Sequence, residues 1–233
     1  MARADRFEVV GFDADDTLWR SEDYFSLAET FFAERVAPYA PPGVDVLGAL
    51  HATEIDNLPV SGYGIKSFAL SMVQAAVTTT GGNVPATVIG ELVDHAHDML
   101  RHPVELLDGV AEALEQVGST HRLVLITKGD LVDQTRKVRT SGLEHHFEHI
   151  EVVLEKTVAT YRSVLAEWSV EPSTFLMVGN SVKSDILPIL ELGGHGVHVP
   201  YHVTWGHEVV RDHNGGFVEL DGIDQLPGWL NDG

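Results

Sequence analysis

The strongest constraint on the fold is an interruption. Residues 7–12 (FEVVGF) form an apolar, β-branched run that reads as a buried strand. The next comparable run, RLVLI at 122–126, lies more than a hundred residues later. From about 105 onward, short apolar runs at 149–154, 174–178 and 196–199 alternate with helical spacing at 109–117, 131–140, 157–168 and 184–192. That alternation predicts an α/β fold with a mainly parallel sheet covered by helices. Between about 19 and 102 no stretch reads as a convincing strand. Instead, Phe25, Ala28, Phe32 and Val36 share one stripe, as do Ile65, Phe68, Met72 and Ala76, and again Val88, Leu92, Ala96 and Leu100. Pro85 suits a first helical position, and Pro38, Pro41 and Pro42 end the first helix. The expected organisation is a core of 1–18 and 103–233 with a helical insert at 19–102.

The chain of 233 residues is long enough to bury such a core without staples, and its 44% hydrophobic content is too high for disorder. It contains no cysteine, which excludes disulfides, thiolate metal sites and a cysteine nucleophile, and suits a reducing compartment. The start, MARADRFEVVGFDADD, has no apolar stretch before its acidic residues, so no signal peptide is expected. No apolar run reaches the roughly 18 residues a membrane span needs. A cytoplasmic location follows as the expectation. The formal net charge of −20 repels a phosphate backbone and argues against nucleic-acid partners; otherwise it reads as solubility.

The chemistry concentrates where the strand-like runs end. Asp13, Asp15, Asp16 and Thr17 follow the first run in GFDADDTLW. Three carboxylates within four residues are electrostatically costly unless a cation offsets them. Oxygen ligands at this density suit Mg²⁺, and ligands of open α/β sheets bind outside the carboxyl ends of the strands. Asp16 by itself could equally cap a helix. Thr127, in VLITKGD, offers a hydroxyl to a phosphate oxygen or caps the next helix; Lys128 beside it adds charge or faces solvent. Lys156, after the 149–154 run, could neutralise a carboxylate nucleophile and a bound phosphoryl group. In MVGNSVKSDILP (177–188), Asp185 offers another metal carboxylate, or a helix N-terminal charge. Asn180 and Ser181 could orient it or ligate through water.

Four such sites at four successive strand ends resemble the haloacid dehalogenase superfamily, in its phosphatase-like branch. Asp13-Ala-Asp15-Asp16-Thr17 looks like the first motif, Thr127 the second, Lys156 the third, and Gly179 through Asp185 the fourth. The resemblance implies a Rossmann-like three-layer core with a helical cap inserted after the first motif. It implies Asp13 as nucleophile, forming an aspartyl-phosphate, and Asp15 as the acid that protonates the leaving group and then the base that activates water. Thr127 and Lys156 would complete the catalytic set. Thr17, Thr127, Lys128 and Lys156 would meet the substrate. Mg²⁺ would be held by Asp13, the main-chain carbonyl of Asp15, and Asp185, with Asn180 in an outer role. Asp16 stands where the family often has glycine, and Asn180 where many members carry a carboxylate.

Other chemistries share this pattern. Dehalogenases resembling the family lack the second aspartate, so Asp15 argues against dehalogenation. A C–P bond hydrolase uses a cap lysine as a Schiff base, and Lys66 is the one lysine in the insert. A sugar-phosphate mutase, or an inactive binding protein, would keep the same core. His195, His198, His202, His207 and His213 cluster late, but their spacings do not share one helix face, which argues against a zinc site. Between 19 and 105 the basic residues are Arg20, Arg35, Lys66 and Arg101, outnumbered about three to one by acids. That balance disfavours triphosphates and favours a small phosphate monoester. Trp19, Arg20 and Tyr24 are candidates to face the cleft. Oligomeric state is not legible.

Overall fold

Alternation of side chains across the strands builds two cores on one sheet. In the computed structural model, which describes residues 6–210 and 215–232, β1 (Val9–Phe12) is followed by four helices: α1 (Glu22–Val36), α2 (Val46–Ser61), α3 (Ile65–Thr79) and α4 (Ala86–Arg101). His213 lies outside the described residues. The chain continues through α5 (Val110–Gly118), β2 (Arg122–Lys128), α6 (Leu131–Ser141), β3 (His149–Val153) and α7 (Val158–Glu167). Then come β4 (Phe175–Gly179), α8 (Leu187–Glu191), β5 (His195–His198), β6 (Val218–Glu219) and α9 (Leu226–Asn231). The six strands lie in the order β3-β2-β1-β4-β5-β6, and every pairing is parallel.

On one face, Val10, Phe12, Leu123, Leu125, Leu176 and Val178 pack with Val110 and Leu114 of α5 and Leu226 and Leu230 of α9. On the other, Val9, Val124, Ile126, Phe175 and Met177 pack with Tyr161 and Leu165 of α7 and Ile189 of α8. Neighbours along each strand thus take opposite faces, as the pleat requires. Gly11 completes the second face because a side chain there would collide with the Phe175 ring. This is the expected α/β, Rossmann-like sheet between two helical layers.

The chain divides into two compact units: residues 1–22, 104–128 and 134–233 form one, and residues 23–103 with 129–133 the other. The second unit has its own core, in which Ala28, Phe32 and Val36 meet Leu50, Phe68, Met72, Leu92 and Ala96. Within it, Lys66 Nζ lies 2.8 Å from Asp130 Oδ1.

Three elements differ from the sequence expectation. Helix α2 shows no clear stripe: it buries Val46 and Leu50, leaves Ile55 and Val60 exposed, and contains Pro59. It starts where Asp45 accepts a hydrogen bond from the Gly48 amide at 2.9 Å. Strand β6 has two residues, too few for a pattern. The helix expected over 184–192 is instead a π-helical turn at Val182–Ile186 followed by the short α8. Pro188 has no N–H to give the Ser184 carbonyl, so that carbonyl accepts from Tyr161 Oη at 3.2 Å.

Candidate active site

The carboxyl ends of β1, β2, β3 and β4 carry the charged groups. Asp13 follows β1, and its amide donates to the Val178 carbonyl of β4 at 2.9 Å, which fixes where the side chain starts. Lys156, three residues beyond β3, is buried and donates both to Asp13 Oδ1 and, at 2.7 Å, to Asp185 Oδ1. Burial pushes the Asp13 carboxyl up to about 7; the Lys156 charge opposes this and the Asp185 charge adds to it. Burial also pulls the Lys156 ammonium down, but Asp13 and Asp185 outweigh it and hold the group protonated. Two buried carboxylates therefore share one ammonium, and the surplus is negative.

The turn around Asp185 depends on a glycine. A Cβ on Gly179 would occupy the space of the Asp185 carboxylate, so glycine lets that side chain fold against the end of β4. Asp185 Oδ2 accepts from the Ser181 amide at 2.9 Å. Thr17 Oγ1 lies 3.1 Å from Asp13 Oδ2 and accepts from the Asn180 amide at 3.0 Å, which ties the first turn to the fourth. Asn180 Oδ1 is 3.4 Å from the same hydroxyl.

Asp15 is held quite differently. Its carboxylate accepts from Trp19 Nε1 at 2.7 Å, Gln134 Nε2 at 2.7 Å and Lys137 Nζ at 2.8 Å. Burial alone would raise its pKa, but Lys137 and the three hydrogen bonds hold it below the ordinary carboxylate value. Asp16 takes a third role. It adopts φ +62° and accepts from the amides of Ser21 and Glu22, capping the entry to α1. Burial and the neighbouring Asp15 charge push its carboxyl up to about 7.

Residues 7–193 match the family model described as haloacid dehalogenase-like hydrolase. The chain belongs to the haloacid dehalogenase-like hydrolases. Among solved structures, a haloacid dehalogenase-like family hydrolase from Xanthomonas campestris is 38% identical over 97% of this chain and 92% of its own, with a TM-score of 0.87. A predicted phosphoglycolate phosphatase from Haemophilus somnus 129pt (16% identity, 95% and 96% covered, TM-score 0.63) shares the fold. So does the L-2-haloacid dehalogenase from Xanthobacter autotrophicus (15%, 96% and 98%, 0.61). A search of curated proteins gave no match.

In this hydrolase, all four motif positions lie in the sheet-bearing unit, with Lys156 bridging Asp13 and Asp185, and several alternatives fall away. Thr127 is buried at the end of β2 and does not cap α6; Asp130 does, accepting from the Asp133 amide at 2.9 Å. Lys128 does not face solvent but pairs with Glu208 and donates to Ser184 Oγ at 3.0 Å. Trp19 is buried against Asp15 and does not line an open surface. Arg20 lies 4.0 Å from Glu105, and the Tyr24 ring packs on His102. Asp185 sits inside the π turn and is not an exposed helix N-terminal charge. Lys66 is half-exposed and paired with Asp130, unlike the desolvated amine a Schiff base needs.

Sequence reasoning passed over Gln134, Lys137 and Glu208. The first two stand one turn apart on α6, a spacing that puts them on one face. That i, i+3 pair just after the second motif was the available signal. Glu208 lies in a non-repetitive segment and carried none.

Proposed function

We propose that this hydrolase is a Mg²⁺-dependent phosphohydrolase that cleaves a small phosphate monoester through an aspartyl-phosphate on Asp13. One observation carries the reading: Lys156 joins Asp13 to Asp185, while Asp15, two residues on, is held apart by its own lysine. Paired carboxylates in contrasting environments are how one site runs nucleophilic and acid–base chemistry together.

The donor set fits a divalent cation. Asp13 and Asp185 both reach Lys156 Nζ, one ammonium for two carboxylates, and burial pushes the Asp13 carboxyl up to about 7, so a second cation would favour its ionised form. The carboxylates of Asp13 and Asp185 and the carbonyl of Asp15 would hold Mg²⁺, which when bound supplies charge neutralisation for the phosphoryl oxygens. A hydrolase of the fold from Bacillus subtilis, YfnB, is described as bound to magnesium at 16% identity.

In the first step an Asp13 oxygen attacks phosphorus, the ester P–O bond breaks, and the leaving oxygen takes a proton from Asp15. In the second, Asp15 takes a proton from water as that water attacks phosphorus, and the Asp13–phosphoryl bond breaks. Lys137, Gln134 and Trp19 favour the ionised form of Asp15 that the second step uses, so the first step draws on the minor protonated form, which the proton taken from water in the second step restores. Thr17 orients Asp13. Lys156 offsets the repulsion between Asp13 and an incoming phosphate dianion. Thr127, at the end of β2, would meet the phosphoryl oxygens, whereas Lys128, expected from the sequence to do so too, is engaged by Glu208 and Ser184.

The test is turnover of an aryl phosphate with Mg²⁺ and with EDTA, for wild type and Asp13→Asn. Turnover should require Mg²⁺ and fall at least about a thousandfold in the folded variant. Equal turnover in EDTA, or an active Asp13→Asn protein, sinks the reading. Chloride release from 2-chloropropionate without metal would replace it with dehalogenation.

A further inference from the structure

Glu208 belongs to a short turn, Gly206–Glu208, far in sequence from the four motifs. Its carboxylate nevertheless reaches two of them. One oxygen accepts from Lys128 Nζ, the residue after Thr127. The other accepts from Ser181 Oγ at 2.5 Å and Ser184 Oγ at 2.6 Å, on the turn that carries Asp185. The side chain is 10% exposed. A second tie runs alongside, from Lys183 Nζ to the His207 carbonyl at 2.8 Å.

These bonds lead to Asp185. The Ser181 hydroxyl that donates to Glu208 accepts from the Ser184 amide at 3.1 Å, closing the π turn. The Ser181 amide donates to Asp185 Oδ2, leaving Oδ1 to face Lys156. The Asp185 amide in turn donates to the Ser181 carbonyl at 2.8 Å. Each serine hydroxyl has one proton to give, and both give it to Glu208. A single π-helical turn followed closely by Pro188 has few backbone bonds to fix it, so side-chain acceptors help to do so. The lysine and both hydroxyls also account for the low pKa of Glu208, which falls to about 2 although burial opposes it.

We propose that Glu208 is a positioning residue for the metal-binding carboxylate: through Ser181 and Ser184 it fixes the turn that presents Asp185, and through Lys128 it couples that turn to the end of β2. The proposal rests on the phosphohydrolase reading for its metal. Groups that orient a metal ligand from behind alter metal affinity about 10- to 100-fold when removed.

The experiment measures Mn²⁺ binding by electron paramagnetic resonance on the full chain, beside Mg²⁺-dependent turnover and circular dichroism. Glu208→Ala should weaken Mn²⁺ binding about tenfold, with Glu208→Gln between it and wild type, while KM at saturating Mg²⁺ changes little. Adding Glu208→Ala to a Ser181→Ala, Ser184→Ala background should weaken binding much less than it does in wild type. Wild-type Mn²⁺ affinity in both Glu208 variants overturns the proposal, as does full additivity with the serine changes. If Glu208→Ala fails to fold, Glu208→Gln decides by the same criterion. Wild type that binds Mn²⁺ without turnover overturns the phosphohydrolase reading alone, and the Mn²⁺ series still judges Glu208. Wild type that binds no Mn²⁺ overturns both.

Discussion

Each unit of the molecule holds a cluster of close carboxylates, and the two are wired in opposite ways. In the sheet-bearing unit, Asp13, Asp15, Asp185 and Glu208 each engage a lysine, and the three lysines, Lys128, Lys137 and Lys156, are largely buried. In the helical unit, Glu29 of α1 and His51 and Glu54 of α2 bring ligand-type atoms within 4.8 Å of one another. There the contact is a 2.8 Å bond from His51 Nε2 to Glu29, with the imidazole half-exposed. Burial with dedicated ammonium partners is the arrangement expected of the reacting site under the proposed function. In the helical cluster the basic partner is a half-exposed imidazole instead, and burial pushes the Glu54 carboxyl up to about 7.

The largest expected difference comes from removing the basic side chain of each cluster. Lys156→Met leaves two buried carboxylates facing each other and should destabilise the protein by about 3–5 kcal/mol. It should also lower turnover at least about a hundredfold. Mg²⁺ should recover part of the lost melting temperature, since it supplies the missing positive charge. His51→Ala should change stability by less than about 1 kcal/mol and leave turnover untouched. Equal losses for the two variants, read by thermal melting with and without Mg²⁺, would erase the distinction.

A second contrast lies inside the sheet-bearing unit. Gly179→Ala places a methyl group where the Asp185 carboxylate lies, so that carboxylate must move. Metal affinity and turnover should fall about 10- to 100-fold with little change in far-ultraviolet circular dichroism. Lys137→Met acts on Asp15 instead. It removes the main group that keeps this carboxyl ionised, so its pKa rises. The ionised base is then scarcer at low pH. Turnover should fall about tenfold at pH 5 and much less at pH 8. A flat pH dependence of that ratio would show that Lys137 does not set the state of Asp15.

How much of this was legible in the sequence follows the reach of each interaction. Strand ends announce themselves locally: an apolar run stops and a carboxylate, hydroxyl or lysine follows, as at Asp13, Thr127 and Lys156. The all-parallel sheet follows from alternation with helices. The helix α2 escaped because it buries few residues and its apolar groups spread around the axis. Gln134 and Lys137 had the right spacing on α6, but nothing in the sequence says that Asp15 faces them. Glu208 is bound to Ser181 and Ser184 across 27 and 24 residues without any local pattern. Such contacts are set by how the loops after β4 and β5 pack, which periodicity does not report.

The smallest effect tests the helical cluster by pH. Burial pushes the Glu54 carboxyl from 4.5 up to about 7, with the neighbouring Glu29 adding to the rise and His51 opposing it. A carboxyl with a raised folded-state pKa binds its proton more tightly when folded than when unfolded. Its contribution to stability is therefore fullest below pH 4.5, declines as pH rises through the folded value near 7, and stays lost above it. Glu54→Gln removes the ionisation and keeps the shape. Because the group is partly solvated, the gain at pH 8 should be about 1 kcal/mol, well below the full linkage value, and near zero at pH 4.5. Chemical unfolding at the two pH values reads it directly. The variant should leave Mg²⁺-dependent turnover unchanged. A loss of turnover would mean that the helical cluster serves the reaction, and the contrast between the two units would then be one of degree.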